Sequence, residues 1–402
     1  MSKSFIEIIG NKDINIEDFL DRAESLIPFL LSRSDKTEKS RRLNKEVKKV
    51  LQDNGLFKVM QPKRYGGLEL DHLLLFDIAT LLAKGCPSTS WVYSNLAIHS
   101  SMLGYFDQKA QNDVWNTCHY NLVCMSVIYP AGHATKVNGG FKLSGNWPFC
   151  SGIDDSQWNI VAAIVENEEI QNKKKRLFLV PKSDYQIIDT WDAIGLTGTG
   201  SHNVVMDDKF VPDYRTLSEV KTRNGDSPGT KVNTNPLFRI PMQSISSSVM
   251  AGVGLGTAKG ALDHFINETQ NRISTYSGQN SMALQNVQIC ISDSSARVDM
   301  AELLLRSNIR DAIDQINKGV LPNQKSKVRW RRDCAFAISN CYEAINMLFN
   351  TSGGSALYKS NPMSRYFRDM QAIASHIAYN TQASGAIYGS NILGLDNDDL
   401  DF

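Results

Sequence analysis

The chain changes hydrophobic period twice, and that order narrows the folds open to it. Apolar residues recur at helical spacing up to about residue 120, follow strand-type patterns from about 121 to 215, and return to helical spacing between Pro241 and Leu393. In the first region Phe19, Leu20, Ala23, Leu26, Ile27 and Leu30 share a helical face, with Pro28 marking a kink or break. A second helix is expected at 43–54, capped by Gly55, and buried helices at 73–83 and 89–106. The middle region offers a strand at 122–129, a hairpin turning at Gly139-Gly140, strands at 158–165 and 175–180 joined by a charged turn at 166–174, and further strands at 185–188 and 204–211. The stretch 219–235, rich in Gly, Asn, Ser, Thr and Lys, reads as a mobile loop or linker. Beyond it, 250–272, 283–318, 324–352 and 369–393 read as long helices. A helical, β, helical succession without internal repeats predicts an α+β protein with segregated layers, divided at 1–120, 121–218 and 236–402.

Composition removes several function classes. With 402 residues, 42% hydrophobic, the chain can bury more than one core. A formal net charge of +1 gives no field for nucleic acid or an anionic membrane, and the basic residues at 41–49 read as a solvated helix face. No apolar run reaches the roughly 18 residues of a membrane span, and the N-terminus lacks the apolar core of a signal peptide. Cys86, Cys118, Cys124, Cys150, Cys290, Cys334 and Cys341 form no CxxC pair, so reduced thiols and a cytoplasmic location are expected. Seven dispersed His without HExxH speak against a metal site, and the serine-hydrolase elbow GxSxG is missing.

Three patterns carry candidate chemistry. In Trp147-Pro148-Phe149-Cys150-Ser151-Gly152 a strand ends in aromatics, a hydroxyl and a glycine. Such a segment can lie against a flat ligand, with the Ser donating to or accepting from a ring nitrogen, or can simply end a strand. Gly195-Leu196-Thr197-Gly198-Thr199-Gly200-Ser201 can aim backbone N–H groups at a polar ligand or merely connect strands. It is neither a phosphate-binding P-loop, since no Lys-Ser/Thr follows, nor a dinucleotide fingerprint, since no βαβ unit surrounds it. Arg365 and Arg368 share a helix face, with His376 expected two turns on; a lone His on a helix, like His99 in its apolar run, is usually structural.

The order of these motifs is more specific than any one of them. Pro62…Tyr65-Gly66-Gly67, Cys86-Pro87-Ser88-Thr89-Ser90-Trp91, Leu143-Ser144-Gly145…Phe149…Ser151-Gly152, Thr190-Trp191…Gly195–Ser201, Phe210-Val211-Pro212 and Arg365…Arg368-Asp369…His376 together resemble the oxygenase components of two-component flavin monooxygenases built on the acyl-CoA dehydrogenase fold. The resemblance covers about 15–395. It implies an N-terminal helical domain, a central β-barrel or sandwich and a C-terminal four-helix bundle, usually assembled as a homotetramer. It also implies reduced FMN or FAD delivered by a separate NAD(P)H-flavin reductase, reaction with O2 through a flavin C4a-hydroperoxide, and hydroxylation of a small aromatic substrate.

Carried over by residue, the resemblance puts Ser151 beside flavin N5, Trp91 and Phe149 around the ring, and Ser126 and His99 near the flavin and the substrate hydroxyl. Thr199 and Ser201, in the glycine-rich loop, and Arg368 join the expected cofactor contacts, and Arg272 matches a flavin-phosphate contact. His376 matches a His that steers the hydroperoxide or accepts the substrate proton. Gln243 falls where hydroxyphenylacetate enzymes have a carboxylate-clamping Arg; a neutral amide there favours a neutral or differently placed aromatic, such as a phenol, an indole or a polycyclic ring. An acyl-CoA dehydrogenase needs a carboxylate base, and the corresponding stretch 374–378 has none. The same motifs leave open an amine or aminosugar N-oxygenase on this fold, and a flavin-binding protein that is not an enzyme.

Overall fold

The computed structural model describes residues 15–166, 174–273, 278 and 280–395, except the side chains at 242, 243 and 271. Six helices come first: α1 (Ile16–Ser25), α2 (Ile27–Ser40), α3 (Lys45–Asp53), α4 (His72–Gly85), α5 (Pro87–Leu103) and α6 (Gln108–Trp115). Pro28 breaks the first helical run rather than kinking it, because it sits in the opening turn of α2, where its missing N–H costs nothing. Pro87 opens α5 in the same way. Almost every residue of α5 is buried, which explains its apolar composition without helical periodicity.

The middle of the chain is one eight-stranded mixed sheet: β1 (Val123–Ser126), β2 (Gly132–Val137), β3 (Gly140–Cys150), β4 (Trp158–Val165), β5 (Lys175–Pro181), β6 (Gln186–Ile188), β7 (His202–Pro212) and β8 (Thr216–Ser218). Strand order is β6-β7-β3-β2-β4-β5-β8, with β1 also paired to β4. The β2–β3 hairpin turns at Gly139-Gly140 as the sequence indicates. Most of the charged turn between β4 and β5 lies outside the described residues. The β3–β7 ladder shifts register between Trp147 and Cys150, and that irregularity shapes the site.

The expected linker at 219–235 is instead packed. It begins with a short helix, α7 (Glu219–Arg223), and buries Glu219, Thr222, Ser227 and Asn233. Asn233 Nδ2 donates to the Gly104 carbonyl at 2.8 Å and to Gln111 Oε1 at 3.0 Å. Four of its polar residues are buried and hydrogen-bonded, while Lys221, Asn224, Asp226, Lys231 and Thr234 stay exposed, so composition alone does not tell the two apart.

Helices α8 (Met242–Asn271), α9 (Gln285–Asn317) and α10 (Gln324–Ser352) follow. The last expected helix is two, α11 (Pro362–Ala374) and α12 (Thr381–Ile392), separated by a 3₁₀ turn at Ile377–Tyr379. His376 caps that turn. It therefore leaves the helix axis instead of continuing the Arg365–Arg368 face.

Candidate active site

A cavity of about 1390 Å³ lies where α5, the β1 and β3 ends, the 191–201 loop, α8, α10 and the α11–α12 break converge. Helix α5 supplies Trp91, Asn95, Ile98, His99 and Met102, spaced four, three, one and three apart, so one helical face lines it. Single-ligand pockets run to roughly 1,000 Å³, so this one has room for a ring system and a second molecule.

The β3 irregularity presents one apolar wall of the cavity. Trp147 turns inward, fully buried, with its indole N–H donating to the Ala162 carbonyl at 2.6 Å. Phe149, at φ 60°, turns the other way and is 62% exposed into the cavity, with Trp191 edge-on at 6.2 Å. Of the aromatics in this segment, Phe149 rather than Trp147 or Trp158 faces the cavity. Ile194, 72% exposed, adds to the same apolar wall. An uncovered wall of this kind is a surface for a flat apolar ring.

Behind that wall runs a chain of hydrogen bonds whose direction can be worked out. Trp91 Nε1–H can only donate, and it does so to Ser151 Oγ at 3.1 Å. At the other end Thr199 Oγ1 donates its one hydrogen to the Leu196 carbonyl at 2.8 Å. Its 2.7 Å contact with Ser201 Oγ must then be accepted from Ser201. Ser201 has no hydrogen left, so in the 2.7 Å Ser151–Ser201 contact Ser151 donates. Every hydrogen is assigned, and Ser151 keeps a lone pair to offer. A ligand N–H is the complement of that lone pair.

The loop carrying this chain is held by close contacts. A Cβ at Gly195 would lie 1.9 Å from the Arg368 carbonyl oxygen, so only glycine lets the loop approach α11. Leu196 N–H donates to Asp369 Oδ1 at 2.6 Å, and Leu196 O also accepts from Trp191 Nε1 at 2.9 Å. Burial pushes the Asp369 carboxyl up to about 7. Gly152, at φ 75°, turns the chain away after Ser151, and its N–H donates to the Thr199 carbonyl at 2.9 Å.

Two imidazoles line the cavity with opposite polarity. His99 Nδ1 lies 3.1 Å from the Val123 carbonyl, which can only accept, so Nδ1 carries the hydrogen and Nε2 a lone pair. Burial drives the His99 pKa down to about 4. His376 Nδ1 instead accepts from the Ala378 N–H at 3.2 Å, leaving the hydrogen on Nε2. His376 opens onto the cavity but is enclosed on its other sides, with Trp91 at 5.7 Å and Tyr379 at 5.5 Å, and this enclosure lowers its pKa. Of the two roles its resemblance allows, donor to an oxygen fits this tautomer, whereas taking a proton would break the cap to Ala378. Ser126 donates to the Pro148 carbonyl at 2.9 Å and shows only lone pairs to the cavity.

Not every expected residue reaches the cavity. Arg368 pairs with Glu38 and donates to the Ile194 carbonyl at 3.2 Å, holding the loop from behind. Arg365 pairs with Asp35 at 2.9 Å. Arg272 lies beside Gly353 and Thr199 behind Ser201, both outside the lining. The Gln243 side chain lies outside the described residues. Conversely, Trp191 and Tyr379 and the cations Arg223, Lys327 and Arg331 line the cavity, although the sequence reading gives them no role there. For Lys327 and Arg331 the available signal is their four-residue spacing in a helix. Among the described lining residues there is no Asp or Glu. No helix among the described residues is long and apolar enough to cross a membrane.

This fold and this site define an acyl-CoA dehydrogenase-like flavin enzyme. Residues 23–115 match the acyl-CoA dehydrogenase N-terminal domain and 248–381 its C-terminal domain. The oxygenase subunit HsaA of a flavin-dependent monooxygenase from Rhodococcus jostii is 31% identical over 379 residues, 94% of this chain and 98% of that protein. The oxygenase component of an FADH2-dependent resorcinol hydroxylase from a Rhizobium species is 33% identical, covering 93% and 94%. The crystal structure of 3-HSA hydroxylase from Rhodococcus sp. RHA1 superposes with a TM-score of 0.91 at 30% identity, over 96% of this chain and 99% of that one. The chain belongs to the family of flavin-dependent monooxygenase oxygenase components. It is accordingly an oxidoreductase that uses reduced flavin.

Proposed function

We propose that this chain hydroxylates a phenolic or related aromatic substrate held between a reduced flavin, FMN or FAD, and the His99–His376 pair. The observation that carries the reading is the fixed direction of the Trp91–Ser151–Ser201–Thr199 hydrogen bonds. It turns Ser151 into an acceptor, matched to the N5–H of a reduced flavin and mismatched to the bare N5 of an oxidised one. When bound, reduced flavin supplies two electrons to O2, so that one oxygen atom enters the substrate and the other leaves as water.

The protein's own contributions follow from its side chains. Ser151 Oγ accepts from the flavin N–H and restrains that proton. Phe149 and Trp191 cover the ring and exclude water, which limits loss of the activated oxygen as peroxide. His99 Nε2 accepts the phenol O–H; with a pKa near 4 it orients the phenol rather than deprotonating it at neutral pH. His376 Nε2–H donates to oxygen. Acyl-CoA dehydrogenation is disfavoured by the lack of a carboxylate among the described lining residues. The reading includes a separate reductase and a homotetramer, supported by the exposed Ile289, Met300 and Leu303 on α9. It also includes a cytoplasmic location, supported by seven free thiols. Arg272 is assigned to the flavin phosphate on the resemblance.

The test is anaerobic titration with reduced FMN and FAD, followed by admission of ¹⁸O₂ with a panel of phenols and indoles. One ¹⁸O atom in a hydroxylated product is expected. Failure to bind either reduced flavin rejects the reading.

A further inference from the structure

A second group of residues lining the cavity has a different character. Lys327 and Arg331 lie four apart on α10, both half-buried and both lining the cavity, and Arg223 of α7 joins them. Like charges at that spacing destabilise a helix unless something offsets them. Arg223 pairs with buried Glu219, and Arg331 Nε donates to Ser384 Oγ at 3.4 Å. Lys327 has no carboxylate at ion-pair distance among the described residues. Burial, with a smaller push from Arg223, lowers its pKa, and the opposing effect of Glu219 does not cancel them. Near Arg223 and Glu219 the Tyr129 hydroxyl is buried without a hydrogen-bond partner, although Tyr129 too lines the cavity. An unpartnered hydroxyl and a cation without a carboxylate at ion-pair distance, lining one cavity, are what an anionic oxygen group would complete.

We propose that Lys327, Arg331, Arg223 and Tyr129 receive an anionic oxygen group, a carboxylate, on the substrate's end remote from the hydroxylated ring. The proposal rests on the oxygenase reading and names its substrate class: an aromatic acid. The wall between the two ends runs from Ser126 to Tyr129, three residues that span at most roughly 11 Å. That length suits a phenol with its ring near His99 and Ser126 and a carboxylate-bearing chain or second ring reaching the cations. The cations come from α7 and α10, so specificity would not need the Gln243 position.

The same chemistry could serve a flavin phosphate, and the experiment separates the two sources. Reduced riboflavin and reduced FMN are titrated anaerobically into the wild type, Lys327→Met, Lys327→Arg and Arg331→Met. With reduced FMN bound, para-hydroxyphenylpropionate and hydroxynaphthoate are then compared with their methyl esters. In the wild type at least one acid should bind roughly tenfold or more tightly than its ester. Lys327→Met should remove that preference, Lys327→Arg should retain it, and reduced-FMN affinity should not change. Equal affinity of acids and esters in the wild type overturns the proposal. So does a Lys327→Met variant that loses affinity for FMN but not for riboflavin, which would make the cluster a phosphate site. Failure of any flavin to bind would instead reject the oxygenase reading, so the two failures are distinguishable.

Discussion

The two ends of the cavity spend their polar groups differently. At the Ser151 end each hydroxyl hydrogen is assigned, from the Trp91 indole to the Leu196 carbonyl, and the supporting loop is tied by Asp369 and Trp191. At the Lys327 end cations sit beside one another and the Tyr129 hydroxyl has no partner. Satisfied networks rigidify a surface and fix the polarity it presents. Unsatisfied buried groups cost stability until a ligand completes them. On the proposed function, the first end suits one invariant partner, the cofactor, and the second is completed by the substrate. Two experiments attack the satisfied end, and a third tests the unsatisfied one.

The largest expected effect concerns Asp369, on which the satisfied end leans. Its carboxyl, ordinarily at 3.8, sits at about 7 in the folded protein. A raised acid pKa means that the folded state binds the proton more tightly than the unfolded state. The resulting stability is fully present below about 4 and is lost as pH rises through about 7. A displacement of that size corresponds to on the order of 4 kcal/mol. Denaturant midpoints at pH 5, 7 and 9 should fall more steeply for the wild type than for Asp369→Asn, which mimics the protonated acid at every pH. Parallel profiles would show that Asp369 stays charged and that its Leu196 contact is an ordinary N–H to carboxylate bond.

Next in size is Ser201→Ala. Losing Ser201 leaves the Ser151 hydrogen without its acceptor, free to turn toward the cavity. Ser151 then becomes a donor, which suits an oxidised flavin better than a reduced one. Reduced-flavin affinity should fall roughly threefold to tenfold while oxidised-flavin affinity holds or rises, a change of one hydrogen bond. Anaerobic and aerobic titrations on the same preparation read both. An unchanged ratio would mean that Ser201 does not set the direction of the chain.

This contrast also marks what the sequence can and cannot disclose. The helical, β, helical order, the Gly139-Gly140 hairpin and an interruption of the first helical run near Pro28 are local and legible, because period and turn chemistry act over a few residues. That Ser151, Trp91 and His99 come together at one cavity is legible through the resemblance. Their polarity is not, because it depends on which carbonyl each meets, as Val123 does for His99 and Leu196 for Thr199. His376 reads as part of a continuing helix and instead caps a break. The packed segment at 219–235 reads as a linker because polar residues that solvate a loop and those that satisfy a buried one have the same composition. The cation cluster joins α7 to α10 about a hundred residues apart, a proximity that no local pattern contains.

The smallest expected effect tests the unsatisfied end directly. Removing the Tyr129 hydroxyl by Tyr129→Phe deletes a buried group that has no partner, so no hydrogen bond is lost. Without ligand, stability should stay within about 0.5 kcal/mol of the wild type or rise by up to about 1 kcal/mol, as relief of a desolvated hydroxyl allows. Ser201→Ala, which deletes a partnered hydroxyl of similar burial, should instead lose about 1 kcal/mol. Denaturant titration of the two variants side by side measures the difference, and its sign is the point. A Tyr129→Phe protein that loses more than about 1 kcal/mol would place a stabilising partner on that hydroxyl and make the two ends alike.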